Sequence, residues 1–138
     1  MLELEASKLV ASSPVPVVIS SRVDVALASD AAGVHLPERD IPVHDARRLL
    51  GERLIGRSVH SRESAVAAEQ DGADYVIYGP VWPSASHPEA VPVGVDALAE
   101  VAHAVRIPVL AIGGIDEERA AECLRAGAAG YAAIGMFE

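Results

Sequence analysis

Three stretches of this chain repeat one grammar, and that repeat limits the fold more than any other feature. Val17-Val18-Ile19 leads into a small-residue helix through Val23, Ala26 and Leu27, and Ala31-Ala32-Gly33 then turns into Val34-His35-Leu36. Leu54-Ile55-Gly56 leads into a helix after Ser61, and Gly72-Ala73 then turns into Tyr75-Val76-Ile77-Tyr78. Val109-Leu110-Ala111-Ile112 leads into a helix after Asp116, and Gly127-Ala128 then turns toward Tyr131-Ala132-Ala133-Ile134. Strands that alternate with helices imply parallel β-structure joined by right-handed crossovers. Between the units, Val43, Ala46, Leu49 and Leu50 form an apolar stripe at helical spacing, and Val95, Leu98, Val101, Ala102 and Val105 form another. Ser61 and Asp116 suit the N-caps of their helices, and Gly127 suits a C-terminal cap.

The pattern predicts six strands, near residues 15–20, 33–36, 53–58, 74–79, 107–112 and 130–134. A closed (β/α)8 barrel needs eight strands and about 200 residues or more, and this chain has 138. The expected fold is therefore α/β, either an incomplete TIM (β/α)8 barrel or an open flavodoxin-like sheet. Its apolar interior is expected from Val17, Ile55, Ile77, Leu110 and Ala133. With no linker or low-complexity tract, residues 1–138 read as a single domain. Six strands without closure leave bare sheet edges, so a homo-oligomer is expected. The net charge of −9 argues against a nucleic-acid or anionic-membrane partner. The single cysteine, Cys123, excludes an intrachain disulfide and reads as helix packing. With neither a membrane-length apolar run nor a signal peptide, the expected location is the cytoplasm.

Chemistry concentrates at the strand ends. Pro108 to Gly114 is a short apolar strand closing on two glycines, followed by the acidic helix start Asp116-Glu117-Glu118. Glycines at a strand end allow backbone N–H groups to approach a ligand, and a helix start adds positive dipole. Gly113, Gly114 and then Gly135, at the end of the following strand, are the expected phosphate cradle. The competing reading is that these glycines only serve tight turns. On the phosphate reading, a side chain at Gly113 or Gly114 takes space that a phosphate needs.

The landmarks Arg22-Val23-Asp24-Val25-Ala26, Gly33-Val34-His35-Leu36, Ile55-Gly56-Arg57-Ser58-Val59-His60-Ser61, Gly72-Ala73-Asp74-Tyr75-Val76, Gly79-Pro80-Val81 and Ala111-Ile112-Gly113-Gly114 follow in order across nearly the whole chain. In order and spacing the chain resembles the thiamin phosphate synthase / TenI family of (β/α)8 barrels. The resemblance implies that it corresponds to strands three through eight of that barrel. It further implies a small phosphorylated thiazole as partner. Where the family's synthases carry Asn-Asp before the arginine matching Arg22, this chain has Ser20 and Ser21. The family's second metal-binding Asp matches Asp40, one carboxylate for a hard cation that prefers several oxygens. Where synthases place a lysine after Gly-Pro-Val, this chain has His87. The Arg57 to Ser61 stretch looks more like the TenI branch, whose members aromatise the thiazole phosphate as tautomerases, although Pro80 stands where one TenI-type pattern has histidine.

These features imply a TenI-like tautomerase with no cofactor. The alternatives are a thiamin phosphate synthase using Mg2+ at Asp40, and a non-catalytic phosphometabolite-binding protein. Tautomerisation needs a base and an acid, and histidine serves as both near neutral pH. His87, in a Pro- and Ser-rich loop, and His60, beside Ser61, are the expected proton carriers; surface placement and a helix-start role are their alternatives. Ser58 and Ser86 are expected to orient substrate, and Ser84 and Ser86 match positions where synthases hold phosphate oxygen. His35 reads as packing or chemistry, Trp82 as a stacking surface or lid filler, and Glu38 and Asp40 equally as caps for the helix near Val43.

Overall fold

The computed structural model describes residues 2–133. The chain begins with α1 (Leu2–Ser12) and then runs β1 (Val18–Ser20), α2 (Val23–Ser29), β2 (Gly33–Leu36), α3 (Val43–Leu50), β3 (Leu54–Val59) and α4 (Arg62–Gln70). It continues through β4 (Tyr75–Tyr78), α5 (Gly94–Ala104), β5 (Val109–Ile112), α6 (Glu117–Arg125) and β6 (Gly130–Ala132). The six strands form one sheet in the order β1-β2-β3-β4-β5-β6, and every pairing is parallel. This is an α/β half-barrel, an incomplete TIM barrel. The expected final strand runs past the described residues at Ile134.

Local chemistry explains where the elements stop. β1 is shorter than expected because Pro14 and Pro16 lack the N–H that a ladder needs, so pairing starts at Val18. β5 likewise starts after Pro108. Ser61 caps α4, its side chain accepting from the Ser64 N–H at 3.0 Å in a reciprocal capping box. Asp116 caps α6 through the Arg119 N–H at 2.8 Å. Gly127, at φ 110°, follows the α6 cap and donates to the Leu124 carbonyl. The sequence pattern did not anticipate α1, whose buried residue is Ala6.

Register assigns each strand residue to a face. Val34, Leu36, Ile55, Val59, Val76, Val109 and Ala111 point toward the helices, where they pack with Ala26, Val43, Ala46, Ala65, Leu98, Val101 and Cys123. Ile55 is expected in the barrel interior; its register partner Val34 puts it instead on the helix side, fully buried, while the next residue, Gly56, takes the concave face at the level of His35 and Tyr75. Full burial of such a side chain contributes about 1.5–3 kcal/mol. Leu49, expected in the α3 stripe, is exposed. The opposite, concave face carries Ser20, His35, Gly56, Ser58, Tyr75, Ile77, Leu110, Ile112 and Ala132.

Candidate functional site

The concave face opens at the carboxyl ends of the strands into a cavity of about 1000 Å³, large enough for a cofactor-sized ligand. The inward strand positions supply His35, Ser58, Ile77, Ile112 and Ala132. The β2–α3 loop supplies Pro37 and Glu38, the β3–α4 loop His60, the β4–α5 loop Ser84, Ala85, Ser86 and His87, the β5–α6 loop Gly113 through Asp116, and the start of α6 Glu117. Ser58, His60, Ser84, Ser86, His87, Gly113 and Gly114, all singled out from sequence, thus border one space. Gly135 lies outside the described residues. Asp40 is not on this wall.

Each loop is tied down by named bonds. Arg57, only 8% exposed, reaches through the β2–α3 loop and donates to the carbonyls of Pro37 at 2.6 Å and Ile41 at 2.7 Å. That loop carries Glu38, whose carboxylate pairs with His60 Nδ1. The expected capping by Glu38 or Asp40 does not occur: Pro42 holds the N-cap position of α3 with no side-chain cap, Glu38 turns to His60, and Asp40 accepts from the Ser21 hydroxyl and the Ile41 N–H. Those two hydrogen bonds hold the Asp40 carboxyl below the usual carboxylate range.

The β4–α5 loop is hung on the end of β5. Val81 N–H donates to the Ile112 carbonyl at 2.9 Å and Trp82 N–H to the Gly113 carbonyl at 3.1 Å. The Arg119 guanidinium lies 5.3 Å from the Trp82 ring centroid and donates to the Gly114 carbonyl. Trp82 therefore stacks under an arginine and is not part of the cavity wall. The two glycines are needed for this approach. Gly113 and Gly114 have φ values of 103° and 65°, and a Cβ would fall 2.6 Å from Pro80 Cα at the first and 2.5 Å from the Pro83 carbonyl oxygen at the second. A side chain at either glycine would drive into the β4–α5 loop.

The electrostatics are mixed. Glu38, Asp116 and Glu117 border the cavity, and no Lys or Arg does among the described residues. An anion here would meet backbone, hydroxyls and histidines. The Asp116 carboxylate already occupies the α6 start. His87 is largely exposed, 3.7 Å from Glu89, while Ser86 N–H donates to the Ser84 hydroxyl oxygen at 3.2 Å. His44 pairs with Asp71 and His103 with its own helix, both away from the cavity.

From sequence alone His35 shows neither of its partners, and Tyr75 reads only as a strand residue. His35 Nε2 lies 2.7 Å from Ser58 Oγ, and Nδ1 lies 3.1 Å from Tyr75 Oη. The two rings stack at 5.6 Å between centroids and 27° between planes. The usable signal was Gly56, which shares a register level with His35 and Tyr75 and has no side chain to block their meeting.

A half-barrel of parallel strands with a ligand-sized cavity at the strands' carboxyl ends, rimmed by a Gly-Gly turn and Ser/His loops, places the chain in the (β/α)-barrel class, with its candidate site where that class carries one. The comparisons narrow the class. Residues 2–137 match the TMP-TENI family, described as thiamine monophosphate synthase. A thiamine-phosphate synthase of Chloroflexus aurantiacus is 46% identical over 132 residues, covering 95% of this chain and 61% of the relative. One from Methanocella arvoryzae is 49% identical over 119 residues, covering 85% and 56%. The solved thiamine phosphate pyrophosphorylase of Pyrococcus furiosus superposes with a TM-score of 0.86 at 38% identity, covering 96% of this chain and 65% of that one. The chain belongs to the thiamine monophosphate synthase family, and it spans about 60% of the length of these relatives.

Among the described residues no helix is long and apolar enough to cross a membrane. The donor set at Asp40 does not fit a magnesium site by itself. It is one carboxylate, with one oxygen engaged by Ser21 and the other by a backbone N–H, and no cluster of three His, Cys, Asp or Glu side chains suited to a metal occurs among the described residues.

Proposed function

We propose that the cavity is the thiazole-phosphate site of a thiamine-phosphate synthase, the enzyme type that joins a pyrimidine diphosphate to a thiazole phosphate. The observation that carries this reading is the convergence of Ser58, Ser84, Ser86 and the Gly113-Gly114 backbone on one cavity at the strand ends. The synthases at 46% and 49% identity support it over the tautomerase reading that the sequence motifs favoured. In this reading the loop serines and the glycine turn hold the phosphate, and the Ile77 and Ile112 side chains bed the apolar ring. Titration calorimetry with a thiazole phosphate tests it. Saturable binding that Ser58→Ala weakens is expected, and heat indistinguishable from buffer overturns the assignment.

A second reading rests on the His60–Glu38 pair. A carboxylate on Nδ1 fixes the imidazole and leaves Nε2 to exchange protons at the cavity edge. Tautomerisation needs a proton carrier at such a place. His60→Asn then retains thiazole-phosphate binding and loses solvent deuterium exchange into the ligand. Full exchange in both His60→Asn and His87→Asn removes the tautomerase reading.

A further inference from the structure

Tyr75, His35 and Ser58 lie on three adjacent strands and face the same concave surface. His35, Gly56 and Tyr75 occupy one register level across β2, β3 and β4. A Cβ at Gly56 would collide with the Tyr75 phenol, so the missing side chain is what lets that ring cross β3 to reach β2. Ser58, two residues further along β3, meets the other side of the imidazole. His35 and Ser58 line the cavity; Tyr75 does not and stands behind them.

The polarity of this row follows from what each group can do. Burial holds the His35 pKa below its ordinary value, helped by the Arg57 charge, so the ring is neutral and carries one N–H. Burial raises the Tyr75 pKa, so the phenol keeps its proton. A neutral imidazole has one donor and one acceptor nitrogen. The Tyr75 hydroxyl sits behind the cavity wall with His35 Nδ1 as its hydrogen-bond partner, and enclosed donors are left without an acceptor more rarely than oxygens are left with a spare lone pair. The phenol therefore donates to Nδ1. The ring proton then belongs on Nε2 and is donated to Ser58 Oγ, which leaves the serine's own proton directed at the cavity.

We propose that Tyr75 and His35 are positioning residues in a one-way chain, Tyr75 O–H to His35 Nδ1 and His35 Nε2–H to Ser58 Oγ, that makes Ser58 a fixed hydrogen-bond donor to an acceptor oxygen on the ligand. The chain selects for an anionic or carbonyl oxygen at that point of the wall and against a donor group.

Two measurements on the full chain test this. Long-range 1H–15N spectra of the imidazole rings report the tautomer without any ligand. The expected result is a protonated Nε2 and a bare Nδ1 at His35, and a protonated Nδ1 overturns the proposal. The second measurement uses the thiazole phosphate named above and rests on the functional reading. Tyr75→Phe keeps the stacked ring and is expected to weaken binding about threefold to tenfold, with Ser58→Ala at least as damaging. The double variant is expected to bind no more weakly than Ser58→Ala alone, because the three groups act as one unit. Additive losses overturn the chain. If the unaltered protein does not bind thiazole phosphate, the functional reading fails while the tautomer spectrum still decides the chain. If Tyr75→Phe melts out, that spectrum on the unaltered protein decides it too.

Discussion

His35 and His60 share one cavity wall and are held by opposite chemistry. His60 is exposed and paired with a carboxylate, whereas His35 is enclosed between a phenol and a serine with the Arg57 charge nearby. The His35 shift has a definite sign. Its folded pKa is depressed, so the unfolded chain takes up a proton first as pH falls through the ordinary histidine value of about 6.5. The stabilisation is therefore present above that value and is lost as pH falls toward the folded pKa. His35→Gln should flatten the slope of melting temperature against pH below about 6.5; an unchanged slope would show that His35 is not the group responsible. Ser58 and His60 could be picked from sequence because they lie within one five-residue motif beside a strand end. Their partners could not. Glu38 is 22 residues from His60, and Tyr75 is 40 from His35, and only strand register brings such pairs together.

At the level of elements, the strands and helices were legible because a period of two or 3.6 residues and an N-cap are local signals. Ser61 is the clearest case, and Ser61→Ala should cost about 1 kcal/mol of stability through loss of the α4 cap, measurable by urea unfolding at constant m-value. The strand ends were overdrawn where proline removed ladder donors. α1 went unread, its short stripe of Ala6 and Val10 lying among exposed leucines. The β4–α5 loop was legible as a lid only in composition, since its anchoring to β5 depends on Gly113 and Gly114 yielding space to Pro80, Trp82 and Pro83. Gly114→Val should therefore displace the loop. Trp82 is the single tryptophan of the chain, so its emission should shift to the red as it leaves the Arg119 guanidinium. Unchanged emission with weakened thiazole-phosphate binding would instead return the glycine to the role of clearing space for phosphate.

At the scale of the whole molecule, six parallel strands in sequential order curve around a cavity, and among the described residues β1 does not pair with β6. β1 is a three-residue strand at the edge of the sheet, and Leu2, Leu4, Leu9 and Val15 nearby in sequence are exposed. Bare backbone at a strand edge beside exposed apolar side chains favours pairing with another chain. A net charge of −9 opposes it, since like-charged copies repel over a Debye length of about 10 Å at 0.1 M salt. The two tendencies respond differently to ionic strength. Apolar contact and strand pairing survive added salt, whereas the repulsion is screened. The 138-residue chain should therefore self-associate, and the associated fraction should rise with sodium chloride when followed by size-exclusion chromatography with light scattering. A strictly monomeric species at every salt concentration, with a sharp cooperative melt, would reverse this conclusion. α1, which packs on α2 beside that edge, would then be the element that shields the sheet, and deleting residues 1–12 should bring the association back.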